Sequence, residues 1–109
     1  MKFIQVKNNR KYIWTTHAKY KMTQYNIGVT VIKRVLSRPD RVEEGIAINT
    51  VAVMKDVSSK TIVKELWVMY QMVGVRKKII SVWIYPGKTK PGREIYIPED
   101  AWLEIKKGL

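Results

Sequence analysis

The spacing of apolar positions changes twice along the chain. From Lys2 to Trp14 they fall in two short runs, Lys2 to Val6 and Lys11 to Trp14. Asn8-Asn9 between the runs suits a tight turn, because asparagine tolerates positive φ, and the pattern predicts an N-terminal β-hairpin. The period then lengthens. Ala18, Met22 and Tyr25 recur at helical spacing while Lys19, Lys21 and Gln24 point elsewhere, which predicts a helix from about Thr16 to Gln24 capped by Thr15 or Thr16. Asn26-Ile27-Gly28 ends it, with Gly28 able to adopt the left-handed conformation. A second helix is expected from about Thr30 to Ser37. Val31, Ile32, Val35 and Leu36 form its apolar stripe, Lys33, Arg34 and Arg38 its outer face, and Pro39 its stop.

From Arg41 onward the pattern is that of strands. They are expected at Arg41 to Ile46, Thr50 to Val57, Lys64 to Met72 and Lys78 to Tyr85, with Val57-Ser58-Ser59-Lys60 and Val73-Gly74-Val75-Arg76 as connections. Links this short favour an antiparallel meander. Glu94 to Ile97 reads as one more short strand. Pro98 then opens a C-terminal helix in which Glu99, Asp100 and Glu104 precede Lys106 and Lys107, the order that complements a helix dipole, with Trp102 and Ile105 facing inward. The expected architecture is a single α+β domain over residues 1–109. An N-terminal hairpin and a two-helix layer pack on one face of an antiparallel meander sheet, and a short C-terminal helix follows.

Alternation along the last long strand puts Ile80, Val82 and Ile84 on one face and Ile79, Ser81, Trp83 and Tyr85 on the other. The aliphatic set is expected beneath the helices. In the preceding strand Leu66, Val68 and Tyr70 alternate with Trp67, Met69 and Gln71, and Trp67 is expected beside Trp83 on the less covered face. A slip of one residue would invert these faces.

Composition narrows the function classes. With 46% hydrophobic and 28% charged residues, the 109-residue chain is expected to fold as a globule. It has no cysteine, which excludes a disulfide and a thiolate metal site, and its single histidine excludes a multi-histidine site. No motif for a carboxylate Mg²⁺ site is visible, so neither metal nor other cofactor is expected. No signal peptide is visible and no apolar run is long enough to cross a bilayer, so a cytoplasmic location without a membrane partner is expected. The formal net charge of +12 favours a polyanionic partner, RNA, DNA, an acidic protein or an anionic lipid surface. Arg76 to Arg93 concentrates that charge. It holds Arg76, Lys77, Lys78, Lys88, Lys90 and Arg93 and no acid, around the apolar run Ile79 to Tyr85.

Several segments resemble the RelE/ParE superfamily of bacterial toxins, nearest to BrnT-like toxins and related small bacterial and phage domains. They are His17-Ala18, Tyr25-Asn26-Ile27-Gly28, Val35-Leu36-Ser37-Arg38-Pro39, Val42-Glu43-Glu44-Gly45 and Lys78-Ile79-Ile80-Ser81-Val82. The similarity covers roughly residues 12 to 86. It implies a toxin fold, a metal-independent endoribonuclease acting on messenger RNA, including ribosome-bound mRNA, or a gyrase poison, and an acidic antitoxin as partner. It also implies catalysis by phosphate-positioning cations and a C-terminal tyrosine, whose counterparts here are Lys77 or Lys78 and Tyr85. Where BrnT-like relatives follow their Ile-Ser-Ala segment with arginine, this chain has Ser81-Val82-Trp83.

Cleavage by 2′-hydroxyl attack needs a base, cations for the phosphorane charge and an acid for the leaving oxygen. His17 is the one side chain with an unperturbed pKa suited to the first task, with Glu43 or Glu44 to orient it; the alternative is a histidine packed at a helix start. Trp67, Trp83 and Tyr85 among cations suit stacking on unpaired bases. Equally, they suit a patch beneath the C-terminal helix, or a surface that receives an antitoxin. Gly87-Lys88-Thr89 is not a P-loop, since the upstream glycine is missing and prolines interrupt the helix that should follow. Lys88, Lys90 and Arg93 can still hold phosphates as point charges, and a noncatalytic RNA- or DNA-binding module remains the second reading.

Overall fold

The computed structural model describes residues 4–92 and 94–107. Five strands form one sheet: β1 (Tyr12–Trp14), β2 (Arg41–Glu44), β3 (Thr50–Asp56), β4 (Glu65–Val73) and β5 (Arg76–Tyr85), in the order β1-β5-β4-β3-β2. Helices α1 (Thr16–Tyr25) and α2 (Val29–Ser37) lie between β1 and β2, and α3 (Glu99–Lys107) follows the sheet. The fold is α+β. The meander from β2 to β5 is antiparallel, as its short links require.

Among the described residues the N-terminal hairpin is not formed. β1 instead pairs parallel to β5, with Tyr12 opposite Lys77 and Trp14 opposite Ile79. The asparagines explain the difference. Asn9 Oδ1 accepts from the Lys11 and Tyr12 N–H groups at 2.8 and 2.9 Å, and Asn8 Oδ1 accepts from Trp14 N–H at 2.7 Å. These side chains take the donors that a hairpin partner would have used. Of the expected first strand, residues 4–6 carry no ladder pairing, and Lys2 and Phe3 lie outside the described residues.

Thr15 caps α1 as expected, accepting from Ala18 N–H at 3.0 Å, and its hydroxyl donates to Ile79 O at 2.8 Å, which anchors the helix start to β5. Asn26, not Gly28, is the left-handed residue, with φ 55°. Gly28 is extended (φ −81°, ψ 166°) and serves as the N-cap of α2 without a side-chain bond. Ala18, Met22, Ile32, Val35 and Leu36 pack on Val53, Leu66, Val68, Ile79 and Val82, so α1 and α2 cover one face of the sheet.

The other face is covered too. Ala101 and Ile105 of α3, with Ile95 and Ile97 before it, pack on Ala52, Met54, Trp67, Met69, Ile80 and Trp83. Residues 94–97 supply this cover as irregular chain, not as a strand. The inward residues of α3 are one turn apart, Ala101 and Ile105, which leaves Trp102 exposed.

The expected faces of β5 hold from Val82 to Tyr85 and are exchanged at Ile79 and Ile80. Met69 pairs with Ser81 but Tyr70 pairs with Ile79, so Ile80 is an extra, unpaired residue. This bulge shifts the alternation by one. Ile79, Val82 and Ile84 face α1 and α2, while Ile80 and Trp83 face α3.

Candidate nucleic-acid interface

The nine acids are unevenly placed along the chain. None precedes Asp40, so β1, α1 and α2 come from an acid-free stretch of 39 residues. The layer over one face of the sheet therefore presents cations outward, while acids collect on β2, the end of β3, the start of β4 and α3. An asymmetry of this kind produces a field directed at an anionic partner.

The strongest local expression of it lies on α2. Burial of Ile32, Val35 and Leu36 turns Lys33 and Arg34 to solvent, and Arg38 follows at the helix end. These three cations line an open hollow together with Thr30, Ser37 and Lys55 of β3, and no carboxylate lines it. Asp40 adjoins it, with its Oδ1 3.3 Å from Lys55 Nζ. The Asp56 N–H and the Lys55 ammonium hold the Asp40 carboxyl below its usual range. Lys33, Arg34 and Arg38 pair with no carboxylate among the described residues.

Lys33 also extends this surface along the sheet. Its Nζ lies 5.6 Å from the Tyr12 ring centroid, Tyr12 is opposite Lys77, and Lys77 Nζ lies 5.1 Å from the Tyr70 ring. Lysine and phenol thus alternate on the side of the sheet that α1 and α2 cover. Each such contact is worth about 0.5–1 kcal/mol at an exposed site. The cations interleaved with aromatics that were expected around Trp67 and Trp83 are built here from tyrosines.

The tryptophans themselves are inside. Trp67 and Trp83 are register partners with stacked rings, 6.2 Å apart and 6° from parallel, and they are 0% and 1% exposed. α3 and residues 95–97 take the space that a base would need. Tyr85 and Lys77 stand eight residues apart on β5, roughly 25 Å at the rise of a strand, on opposite faces. His17 meets the middle of the strand, its Nε2 3.1 Å from Ser81 Oγ. The three candidate catalytic residues therefore do not converge.

His17 is nonetheless part of a cluster. Asp100 Oδ2 is 3.8 Å from its Nε2 and Glu104 Oε1 is 3.9 Å from its Nδ1, so its acidic neighbours belong to α3 and are not Glu43 or Glu44. Both carboxylates are already engaged, Asp100 with Lys21 at 2.9 Å and Glu104 with Lys107 at 2.9 Å. Burial consequently prevails over the two acids and holds the imidazole below its usual pKa of 6.5. Ser81 is fully buried, so the pair joins α1, β5 and α3 and presents no nucleophile to a substrate.

The basic loop after β5 faces acids. The buried Glu65 accepts from Thr89 N–H at 3.2 Å, Thr89 Oγ1 at 2.8 Å and Trp67 Nε1 at 3.2 Å, while Arg41 donates to Thr89 Oγ1 at 2.8 Å. This network brings Lys88 and Lys90 into a hollow shared with Asp40, Glu43, Asp56 and Glu65. Arg76 and Lys78 lie at the far end of β5, on the α3 side, and Arg93 lies outside the described residues. Sequence reasoning placed Lys33, Arg34 and Arg38 on an outer helix face but did not join them to Lys55, Tyr12 or Tyr70, which are close only through tertiary contacts. Among the described residues no group of three or more acidic or histidine side chains is placed to hold a metal, and no helix is long and apolar enough to cross a membrane. Comparison of the chain with protein-family models, curated proteins and solved structures finds no significant match.

Proposed function

We propose that this protein binds nucleic acid by its phosphate backbone, through the outer face of α2 and the adjoining lysine–tyrosine stripe. The observation that carries this reading is the hollow lined by Lys33, Arg34, Arg38 and Lys55 with no carboxylate in its wall. Trp67 and Trp83 are buried, and Tyr12 and Tyr70 already have ammonium groups against their rings, so phosphate contact outweighs base stacking. The noncatalytic reading stands ahead of RNA cleavage because Tyr85, Lys77 and His17 do not share a site. The resemblance to RelE/BrnT-type toxins supports RNA or DNA in the cytoplasm as the target and an acidic antitoxin as an additional partner.

The test is fluorescence anisotropy with a labelled single-stranded RNA and a labelled duplex over a range of salt. If Lys33, Arg34 and Arg38 each neutralise one phosphate, log affinity should fall against log salt with a slope of about −2 for the single strand and about −3 for the duplex. The triple change Lys33→Glu, Arg34→Glu, Arg38→Glu should abolish this slope, whereas Lys88→Glu with Lys90→Glu should leave most of it. The reverse ranking would move the interface to the loop. RNA cut in EDTA by wild type but not by His17→Ala would restore the endoribonuclease reading.

A further inference from the structure

The end of the sheet away from the basic loop carries a surface of a different kind. Gly74-Val75 form a two-residue turn between β4 and β5, with Gly74 at φ 61° and Val73 opposite Arg76. Val75 is 89% exposed, more than any other large apolar side chain among the described residues. Ile48, 72% exposed, is drawn alongside, because the Gln71 side-chain amide donates to Ile48 O at 3.0 Å and Met72 N–H to Asn49 O at 3.3 Å. Met72 and Val73 are also exposed. Turns ordinarily take polar residues. Here four apolar side chains crown one end of the sheet and contribute little to either core.

Cations border this crown on both sides. β5 begins Arg76-Lys77-Lys78, and its alternation sends Lys77 to the α1/α2 side and Arg76 and Lys78 to the α3 side. Two carboxylates lie nearby. Glu44 ends β2 at the far edge of the sheet, and Glu104 is paired with Lys107. The shape is convex, since a hairpin turn projects. A protein partner would need a matching cavity. A bilayer receives a projecting apolar tip without one, and surrounds it with anionic headgroups.

We propose that this tip docks the protein on an anionic lipid surface. Val75, Ile48 and their neighbours enter the headgroup–acyl boundary, and Arg76, Lys77 and Lys78 pair with headgroup anions. Apolar insertion and electrostatic attraction combine in such contacts, and neither alone gives stable attachment. The proposal is independent of the nucleic-acid reading, although Lys77 serves both.

The experiment is co-sedimentation of the full chain with vesicles of phosphatidylcholine mixed with phosphatidylserine, and with vesicles of phosphatidylcholine alone. Wild type should pellet with the mixed vesicles and remain in solution with the neutral ones. Val75→Ser, at an exposed turn and so without effect on the melting temperature, should lower partitioning about tenfold. Arg76→Gln should lower it about fivefold. Failure of wild type to pellet at low salt overturns the proposal. So does equal pelleting of wild type and Val75→Ser, which would mean diffuse attraction by net charge. Val75-dependent binding to polyglutamate without vesicle binding also overturns it, and assigns the tip to an acidic protein.

Discussion

Replacing each of the two stacked tryptophans by phenylalanine separates packing from hydrogen bonding in the covered face of the sheet. Trp67 and Trp83 are opposite one another, equally buried and in contact with the same layer under α3. Trp→Phe removes the same atoms at both positions, so the packing losses should be similar, about 1–3 kcal/mol each and below the cost of truncation to alanine. The indole N–H groups differ. Trp67 Nε1 donates to the buried Glu65 carboxylate, and Thr89 remains as a donor when it is lost. Removing a bond to a charged acceptor should add about 1.5 kcal/mol, the low end for such bonds. Trp83 Nε1 is buried and has no acceptor among the described residues. Its desolvation already costs about 1–3 kcal/mol in the native state, and phenylalanine removes that penalty. Trp67→Phe should therefore be less stable than Trp83→Phe by about 2.5–4.5 kcal/mol. Urea unfolding with unchanged m-values measures the difference directly, and in melting temperature it should amount to about 8 °C or more. Equal destabilisation, or a larger loss for Trp83→Phe, would refute the hydrogen-bond assignment at both indoles.

Two further substitutions probe the helix layer. Gly28→Ser should stabilise by a few tenths of a kcal/mol in thermal or urea unfolding, because Gly28 is an extended N-cap with open space around it and lacks a side-chain bond to α2; a loss would mean that the position needs glycine's freedom. His17 sets a pH dependence. Burial lowers its folded-state pKa below the unfolded 6.5, so its contribution to stability is complete above 6.5 and is lost as pH falls through the folded value. The Asp100 carboxyl, which burial alone would raise, is held below its usual 3.8 by Lys21 and His17, so its contribution disappears only in stronger acid. Unfolding free energies at about pH 7.5 and about pH 5.5 should converge in His17→Gln relative to wild type; an unchanged difference would show that His17 is not the group titrating in that window.

Local periodicity made most elements legible. The apolar stripe of α2, the caps at Thr15 and Pro39, the opening of α3 after Pro98, and the short links of the meander are determined within a few residues of each position, so the sequence alone placed three helices and the long strands and paired Trp67 with Trp83. The parallel pairing of β1 with β5 was not legible, because Asn8 and Asn9 use side-chain bonds where positive φ was expected, and because strand partners distant in sequence leave no local trace. Nor was the bulge at Ile80, which changes the parity of β5 without changing its composition. The cover supplied by α3 decided that the tryptophans are core and not platform. The same distance in sequence hid the functional geometry. Arg76 to Arg93 is free of acids as a string, yet β5 separates its two ends, and folding brings Glu65 to Thr89 and other carboxylates around Lys88 and Lys90. Charge along a chain is a local property, whereas the field at a surface sums over every residue that the fold brings there. That sum left the carboxylate-free hollow on α2.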